Sequence, residues 1–78
     1  KGQARQHQNA RNGITFNTVC PGNVFVEGKP RVDEEALPMG RMGTPQEVAA
    51  LVRFLCSNDA GWINGSTINI DGGESNAI

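Results

Sequence analysis

The chain has 78 residues, a formal net charge of −1 and two cysteines, which limits it to one small domain and gives no electrostatic case for binding nucleic acid or an anionic membrane. No apolar run approaches the ~20 residues of a transmembrane helix, and residues 1–13 lack the apolar stretch of a signal peptide. Cys20 and Cys56 lie in apolar runs and are predicted to be small, buried, free thiols, with a disulfide or a metal site as the alternatives. A cytoplasmic, reducing setting is favoured.

The chain opens on residues of helix-forming type. Residues 1–12 are polar, and Gly13 follows at the place of a helix C-cap glycine with positive φ. We interpret this segment as the end of a helix. His7 is the single histidine and is interpreted as a solvated side chain on the polar helix face.

A strand is predicted next, over residues 14–20. This segment is rich in β-branched and aromatic residues and stops at Pro21 and Gly22. Val19 and Cys20 are adjacent and both apolar, so a strand buried on both faces, as in a parallel sheet, is favoured.

A long connection rich in proline and glycine occupies residues 22–43. It is longer than most loops of compact domains, which indicates a functional or mobile segment. A short helical turn is expected within it at residues 33–37.

The second helix has a strong start signal. Thr44 can cap it, Pro45 suits its first position, and Glu47 can close a capping box. The helix is predicted to end at about residue 57. Its side chains are apolar on nearly all sides, which predicts burial on nearly all sides and a second packing partner. The apolar stripe consists of Val48, Leu51, Val52 and Leu55, and Ala49, Ala50, Phe54 and Cys56 widen it.

A second strand is predicted at residues 66–70, with Ile68 and Ile70 on one face. Residues 74–78 are interpreted as a tail. The order strand, helix, strand with a buried first strand predicts an α/β fold with a parallel pair and a crossover helix. Two strands alone leave both edges unpaired, so further strands are expected to come from elsewhere.

Two segments, with the spacing between them, resemble the C-terminal portion of the short-chain dehydrogenases/reductases: GITFNTVCPGNV (residues 13–24) and PMGRMGTPQEVAALVRFLCSNDAGWINGSTINIDGG (residues 38–73). The resemblance implies the C-terminal β-α-β part of a Rossmann-type doubly wound parallel sheet, with residues 1–78 as a single partial domain. Its implied parts are the end of a helix (1–12), a strand and nicotinamide-side loop (13–24), a substrate lid (25–43), a helix and last strand (44–73) and a tail (74–78).

The resemblance also implies a binding site for the nicotinamide of NAD or NADP. Pro21 and Gly22 would lie against the ring, and Val24 would hold the carboxamide with its backbone N–H and C=O. This placement agrees with the rule that ligands of open α/β sheets bind at the carboxyl ends of strands. An ordinary Pro-Gly strand terminator is the alternative. Val26 stands where the family usually has a cofactor-binding threonine, so one polar contact is absent.

Other family residues have no counterpart here. The chain has no tyrosine, the family's proton donor, and no glycine-rich phosphate loop; Lys1 and Lys29 are not assigned as its catalytic lysine. We therefore assign no catalytic residue and no metal ligand. We expect a segment of an NAD(P)-dependent oxidoreductase acting on a carbonyl or alcohol substrate, inactive alone, that forms a homo-oligomer through residues 44–73. The alternative is a non-catalytic self-associating module derived from that family.

Three single residues have structural interpretations. Asp71 is expected to form an Asp-Gly turn rather than a metal site. Arg41 is expected to make a salt bridge or to cap a carbonyl group. Trp62 is expected at a subunit contact or at the edge of the core, rather than on a ligand.

Overall fold

The computed structural model describes residues 11–76. The helix predicted for residues 1–12, with His7, therefore lies almost wholly outside the described residues, although Gly13 has the expected positive φ of 80°. Among these residues the strands are β1 (Thr18–Pro21) and β2 (Thr67–Ile70), and the α-helix is α1 (Pro45–Leu55). Short 3₁₀ turns occupy Glu34–Ala36, Asn58–Ala60 and Glu74–Asn76.

The two strands form a parallel pair, as predicted. Val19 pairs with Ile68 and Pro21 with Ile70, so these four side chains share one face of the sheet. The intervening chain includes α1, which makes the unit a β-α-β crossover. Thus the structure is an α/β unit with a parallel pair and a crossover helix, as the sequence predicts.

β1 is shorter than predicted because side-chain amides replace its first ladder bonds. Phe16 N donates to Asn64 Oδ1 at 2.9 Å, and Phe16 O accepts from Gly65 N at 2.7 Å. Asn17 Nδ2 donates to Ile63 O at 3.2 Å, and Asn17 Oδ1 accepts from Ser66 N at 3.0 Å. Phe16 and Asn17 are thus tied to the segment before β2 without being paired as a strand.

Helix α1 begins where the capping box places it. Thr44 Oγ1 accepts from Glu47 N at 3.1 Å, and Glu47 Oε1 accepts from Thr44 N at 3.0 Å. The helix ends at Leu55 rather than at residue 57. Ser57 Oγ donates to the carbonyl oxygen of Phe54 at 2.6 Å, which satisfies one of the free carbonyl groups at the helix end.

The core within this chain is very small. Among the described residues only Met42 (7% exposed) and Ala60 (1%) count as buried apolar residues. The prediction that α1 is buried on nearly all sides is wrong for the chain by itself, since no residue of α1 is buried. A two-stranded sheet is too narrow to cover more than one side of a helix. Trp62 is 96% exposed, so its placement at a core edge is wrong as well.

The prediction for the two cysteines is confirmed in one respect and wrong in another. Both thiols are free, as predicted. Neither is buried: Cys20 is half-buried and Cys56 is exposed at the C-terminal end of α1. The apolar neighbours of Cys56 in sequence are themselves helix residues that the chain leaves uncovered.

The predicted helical turn in the lid is present at Glu34–Ala36, where Asp33 Oδ1 accepts from Glu35 N at 3.1 Å. Within residues 11–76, no helix has both the length and the apolar character needed to cross a bilayer.

Candidate functional site

The loop after β1 (residues 22–24) lies at the carboxyl edge of the sheet and is held by a short parallel bridge between Val24 and Gly43. Asn23 O accepts from Gly43 N at 2.9 Å, and Phe25 N donates to Gly43 O at 2.9 Å. Both bonds use atoms in the peptide groups that flank Val24. In a trans peptide the C=O and N–H point in opposite directions. The N–H and C=O of Val24 therefore point away from Gly43, and no described residue hydrogen-bonds to them.

Gly22 packs against the turn that follows β2. A Cβ atom at this position would lie 2.6 Å from the Cβ of Asp71 and 2.6 Å from Oε2 of Glu74. Carbon atoms in normal contact stay about 3.5–4.0 Å apart. The chain's own turn therefore requires glycine here, a reason separate from the close approach of a ligand ring.

Glu74 binds the loop directly. Its Oε2 accepts from Asn23 N at 3.0 Å, and its Oε1 accepts a short hydrogen bond from Asn23 Nδ2. The interpretation of residues 74–78 as a tail is thus wrong for its first residues, which form a 3₁₀ turn and fix the loop. One carboxylate thus accepts hydrogen bonds from both the backbone nitrogen and the side-chain nitrogen of Asn23.

Asp71 forms the predicted turn. Its Oδ1 accepts from Gly73 N at 3.0 Å and its Oδ2 from Ser75 N at 3.1 Å. The adjacent Gly72 and Gly73 have φ of 61° and 89°, values that favour glycine. Hydrogen bonding from the Ser75 side chain, and then from the Gly73 amide, lowers the pKa of Asp71. Within residues 11–76, no group of three or more His, Cys, Asp or Glu residues could hold a metal ion.

Arg41 makes both of the contacts proposed for it. Its Nη1 and Nη2 donate to the two carboxylate oxygens of Glu47, each at 2.9 Å, and Nη1 also donates to Met42 O at 3.0 Å. Hydrogen bonding from Arg41, and then from the Thr44 amide, lowers the pKa of Glu47 to about 2. The ion pair therefore joins the end of the lid to the first turn of α1.

The lid is braced internally by Glu34. One oxygen, Glu34 Oε2, accepts from Arg31 Nη2 at 3.0 Å and from Met42 N at 3.1 Å. The Met42 amide is the main reason that the pKa of Glu34 is lowered, followed by Arg31. The Arg31 guanidinium also stacks on Phe25, 4.8 Å from the ring centre, in a cation–π contact. The two halves of the lid are thus held together.

A cleft of about 250 Å³ opens between the loop, the lid and the first turn of α1. Of the predicted site residues it includes Val24, whereas Pro21 and Gly22 do not line it. Its other side is the turn after β2, where Met39 of the lid lies so near Gly72 that a Cβ atom there would be 3.4 Å from the Met39 sulfur. The lining residues are Asn23, Val24, Met39, Arg41, Gly43, Thr44, Glu47, Val48, Ile70, Asp71, Gly72 and Glu74.

Three residues that shape the loop around Val24 are not predicted by the sequence analysis. Asn23 and Glu74 are 51 positions apart, and no local pattern connects them. Gly43 was read as part of a glycine-rich lid, but it is the bridge partner of Val24.

Comparison with known proteins identifies the family. A family profile described as Enoyl-(Acyl carrier protein) reductase matches residues 3–75. The short-chain dehydrogenase/reductase from Serratia marcescens BCRC 10948 superimposes with a TM-score of 0.82 at 32% identity, over 95% of this chain and 33% of that one. The chain belongs to the short-chain dehydrogenase/reductase family. Enzymes of this family are NAD(P)-dependent oxidoreductases.

Curated members of the short-chain dehydrogenase/reductase family are also similar in sequence. Acetoacetyl-CoA reductase of Rhizobium meliloti (strain 1021) is 44% identical over 80 aligned positions, which cover 92% of this chain and 33% of that protein. Human (3R)-3-hydroxyacyl-CoA dehydrogenase is 35% identical over 78 positions, or 91% of this chain and 30% of that protein. The chain thus spans about a third of the length of the curated relatives it matches.

Proposed function

We propose that the chain acts as the C-terminal part of an NAD(P)-dependent oxidoreductase that interconverts a carbonyl and an alcohol. The observation that carries the proposal is the backbone N–H and C=O of Val24, at the carboxyl edge of β1, to which no residue between 11 and 76 hydrogen-bonds. A primary carboxamide offers one acceptor and two donors. An N–H and a C=O on a single residue match such a group, and NAD and NADP both carry one on the nicotinamide ring.

The neighbouring residues support this assignment by shape. Pro21 has no N–H and lies at the exposed end of β1, while Gly22 has no side chain to extend from the loop. In the proposal, these two residues form the surface under the nicotinamide and Val24 fixes its orientation. When bound, the cofactor would supply or accept the hydride; the chain's own residues bind and orient its ring.

The chain itself lacks a proton donor of the family type, since it has no tyrosine. General acid catalysis needs such a group within hydrogen-bond reach of the substrate oxygen. We therefore expect residues 1–78 alone to catalyse no NAD(P)-linked oxidation or reduction. A nicotinamide absorbance assay with a panel of alcohols and ketones tests this, and turnover above a protein-free blank would refute it.

A chimera tests the proposed function directly. The matching third of the Rhizobium meliloti acetoacetyl-CoA reductase is replaced by residues 1–78, and NADH and NADPH binding and acetoacetyl-CoA reduction are measured. We expect a folded chimera to bind the reduced cofactor and to reduce the thioester substrate. A folded chimera without cofactor binding would refute the proposal.

A backbone substitution in the chimera tests the role of Val24. Val24→Pro removes the N–H assigned to the carboxamide, and we expect it to weaken cofactor binding roughly tenfold or more. Val32→Pro is the matched control, because it makes the same change at an exposed lid residue whose N–H bonds to no described residue. Equal affinities in the two variants would contradict the role of Val24.

We further propose a homo-oligomer that forms through residues 44–73. The supporting observation is the apolar surface that the chain leaves uncovered on and after α1, with Val52 43%, Phe54 45% and Trp62 96% exposed. Val52 and Phe54 are two positions apart and so lie on different sides of α1. A helix that is apolar on several sides is normally buried against further partners. The same surface supports the second candidate function, a non-catalytic self-associating module, which cofactor binding by the chimera would disfavour.

We also propose a reducing, cytoplasmic setting. The exposed thiol of Cys56 would be open to intermolecular pairing in an oxidising compartment. Alkylation of the protein immediately after cell lysis tests this proposal, which predicts that both thiols react.

A further inference from the structure

We propose that Glu74 is a positioning residue for nicotinamide binding, because its carboxylate fixes the loop that carries Val24. This inference rests on the proposed function, since it gives Glu74 a part in holding the same loop. Glu74 does not contact the cofactor in this proposal. It acts through Asn23, the residue before Val24.

The contact between Glu74 and Asn23 has two points. The backbone N–H of Asn23 donates to one carboxylate oxygen at 3.0 Å, and its side-chain amide donates to the other oxygen. A single hydrogen bond would leave Asn23 free to turn about the bond axis. Two bonds to the two oxygens of one carboxylate fix orientation as well as position, and the negative charge strengthens both.

The orientation of Asn23 sets the orientation of Val24. Asn23 C=O and Val24 N–H belong to one planar peptide group, and Asn23 O is held by Gly43 N at 2.9 Å. The Asn23 residue thus has its N–H held by Glu74 on one side and its C=O held by Gly43 on the other. Little freedom remains in the peptide group that carries the Val24 N–H.

The two hydrogen bonds from Asn23 to Glu74, called the clamp below, can fix the loop because the backbone of Glu74 is itself held by hydrogen bonds. Asp71 ties the turn through Gly73 N and Ser75 N, and Glu74 N donates to Asp71 O at 3.2 Å. Gly22 lies against this turn so closely that a Cβ atom has no room. The clamp is therefore built on a hydrogen-bonded turn in contact with the loop it positions.

An exchange of the two polar groups tests the clamp in the protein expressed from its complete open reading frame. Glu74→Ala removes both acceptors, and Asn23→Asp places two carboxylates face to face. The double variant Asn23→Asp with Glu74→Gln keeps an acceptor for the backbone N–H of residue 23 and reverses the side-chain hydrogen bond, because the Gln amide donates to the Asp carboxylate. Asp59→Ala, an exposed carboxylate in no hydrogen bond with a described side chain, controls for the loss of one negative charge.

Two ligands separate positioning from general destabilisation. NADH or NADPH carries the nicotinamide, and ADP-ribose, or its 2′-phosphate, is the same molecule without it. We expect Glu74→Ala and Asn23→Asp each to weaken binding of the reduced cofactor roughly tenfold and to leave the ADP-ribose affinity within twofold. The double variant should bind the reduced cofactor within about threefold of the wild type.

Amide hydrogen exchange supplies a readout without cofactor. We expect the Asn23 N–H to exchange at least tenfold faster in Glu74→Ala and to regain protection in the double variant. If Glu74→Ala does not fold, the comparison of the double variant with the single variant Asn23→Asp provides the test instead.

The outcomes are distinguishable. If the wild-type protein binds neither NADH nor NADPH, the proposed function is wrong, and the proposed role of Glu74 is wrong as well. Wild-type binding that is unchanged in Glu74→Ala, or an equal loss for ADP-ribose, overturns the positioning role alone.

Discussion

Substitution of Gly22 by alanine probes the contact between the loop and the turn after β2. The new Cβ would lie 2.6 Å from Asp71 Cβ and 3.0 Å from Asp71 Cα, about 1 Å closer than normal carbon contacts. These are atoms near the backbone of a hydrogen-bonded turn, so they cannot rotate out of the way. The loop and the turn must separate, and the clamp between Asn23 and Glu74 lengthens with them.

The expected cost of Gly22→Ala is that of overpacking, about 1–3 kcal/mol in the free energy of unfolding. Gly43→Ala is the matched control, because Gly43 has no positive φ and its Cβ would come no closer than 3.7 Å to any atom outside its immediate neighbours. An alanine there reduces the freedom of the unfolded chain and should be neutral or stabilising by up to about 1 kcal/mol. The assay is urea unfolding of the protein from its complete open reading frame, followed by circular dichroism. Equal stability of the two variants would refute the close contact described for Gly22.

Three further predictions concern α1. The pKa of Glu47 is lowered to about 2 from an unfolded value near 4.5, so the stabilisation by its ion pair with Arg41 is present above about pH 4.5 and is lost as the pH falls towards 2. In Glu47→Gln the free energy of unfolding should therefore depend less on pH between 4.5 and 2. An unchanged pH dependence would contradict the pairing. Thr44→Ala should cost about 1 kcal/mol by loss of the helix cap, whereas Thr44→Ser keeps the hydroxyl and should unfold in urea like the wild type. Phe54→Asp should reduce self-association in sedimentation at micromolar concentration, with Arg53→Asp as the control; a folded monomer indifferent to Phe54→Asp would contradict the proposed interface.

Local signals were sufficient to predict the elements that local contacts stabilise. Thr44 and Glu47 are three residues apart, and their capping box is present in the structure. The Asp71 turn also joins residues close in sequence; for Arg41 the sequence predicts a salt bridge or a carbonyl cap but not its partner, Glu47. The capping box and the turn can be read from residue type and spacing because the partners are within a few positions of one another.

The missed features depend on contacts between distant residues. Asn17 bonds to residues 46 and 49 positions away, and that contact shortens β1 at its start. Glu74 reaches Asn23 across 51 positions, so its role was not visible in a segment that resembles a tail. Burial of α1 was predicted from its apolar composition, yet composition does not tell whether the covering surface belongs to the same chain.

The separation between Asn23 and Glu74 has a consequence for biosynthesis. During translation Glu74 is added 51 residues after Asn23, which corresponds to roughly 3–10 s at about 5–20 residues per second. Throughout that interval β1 and its loop have been synthesised, but Glu74, whose carboxylate fixes the loop, has not yet been added. A product truncated after β2 would retain both strands and the helix and still lack the clamp. The order of the loop therefore depends on Glu74, and a ligand that requires the ordered loop would distinguish chains that contain Glu74 from chains truncated before it.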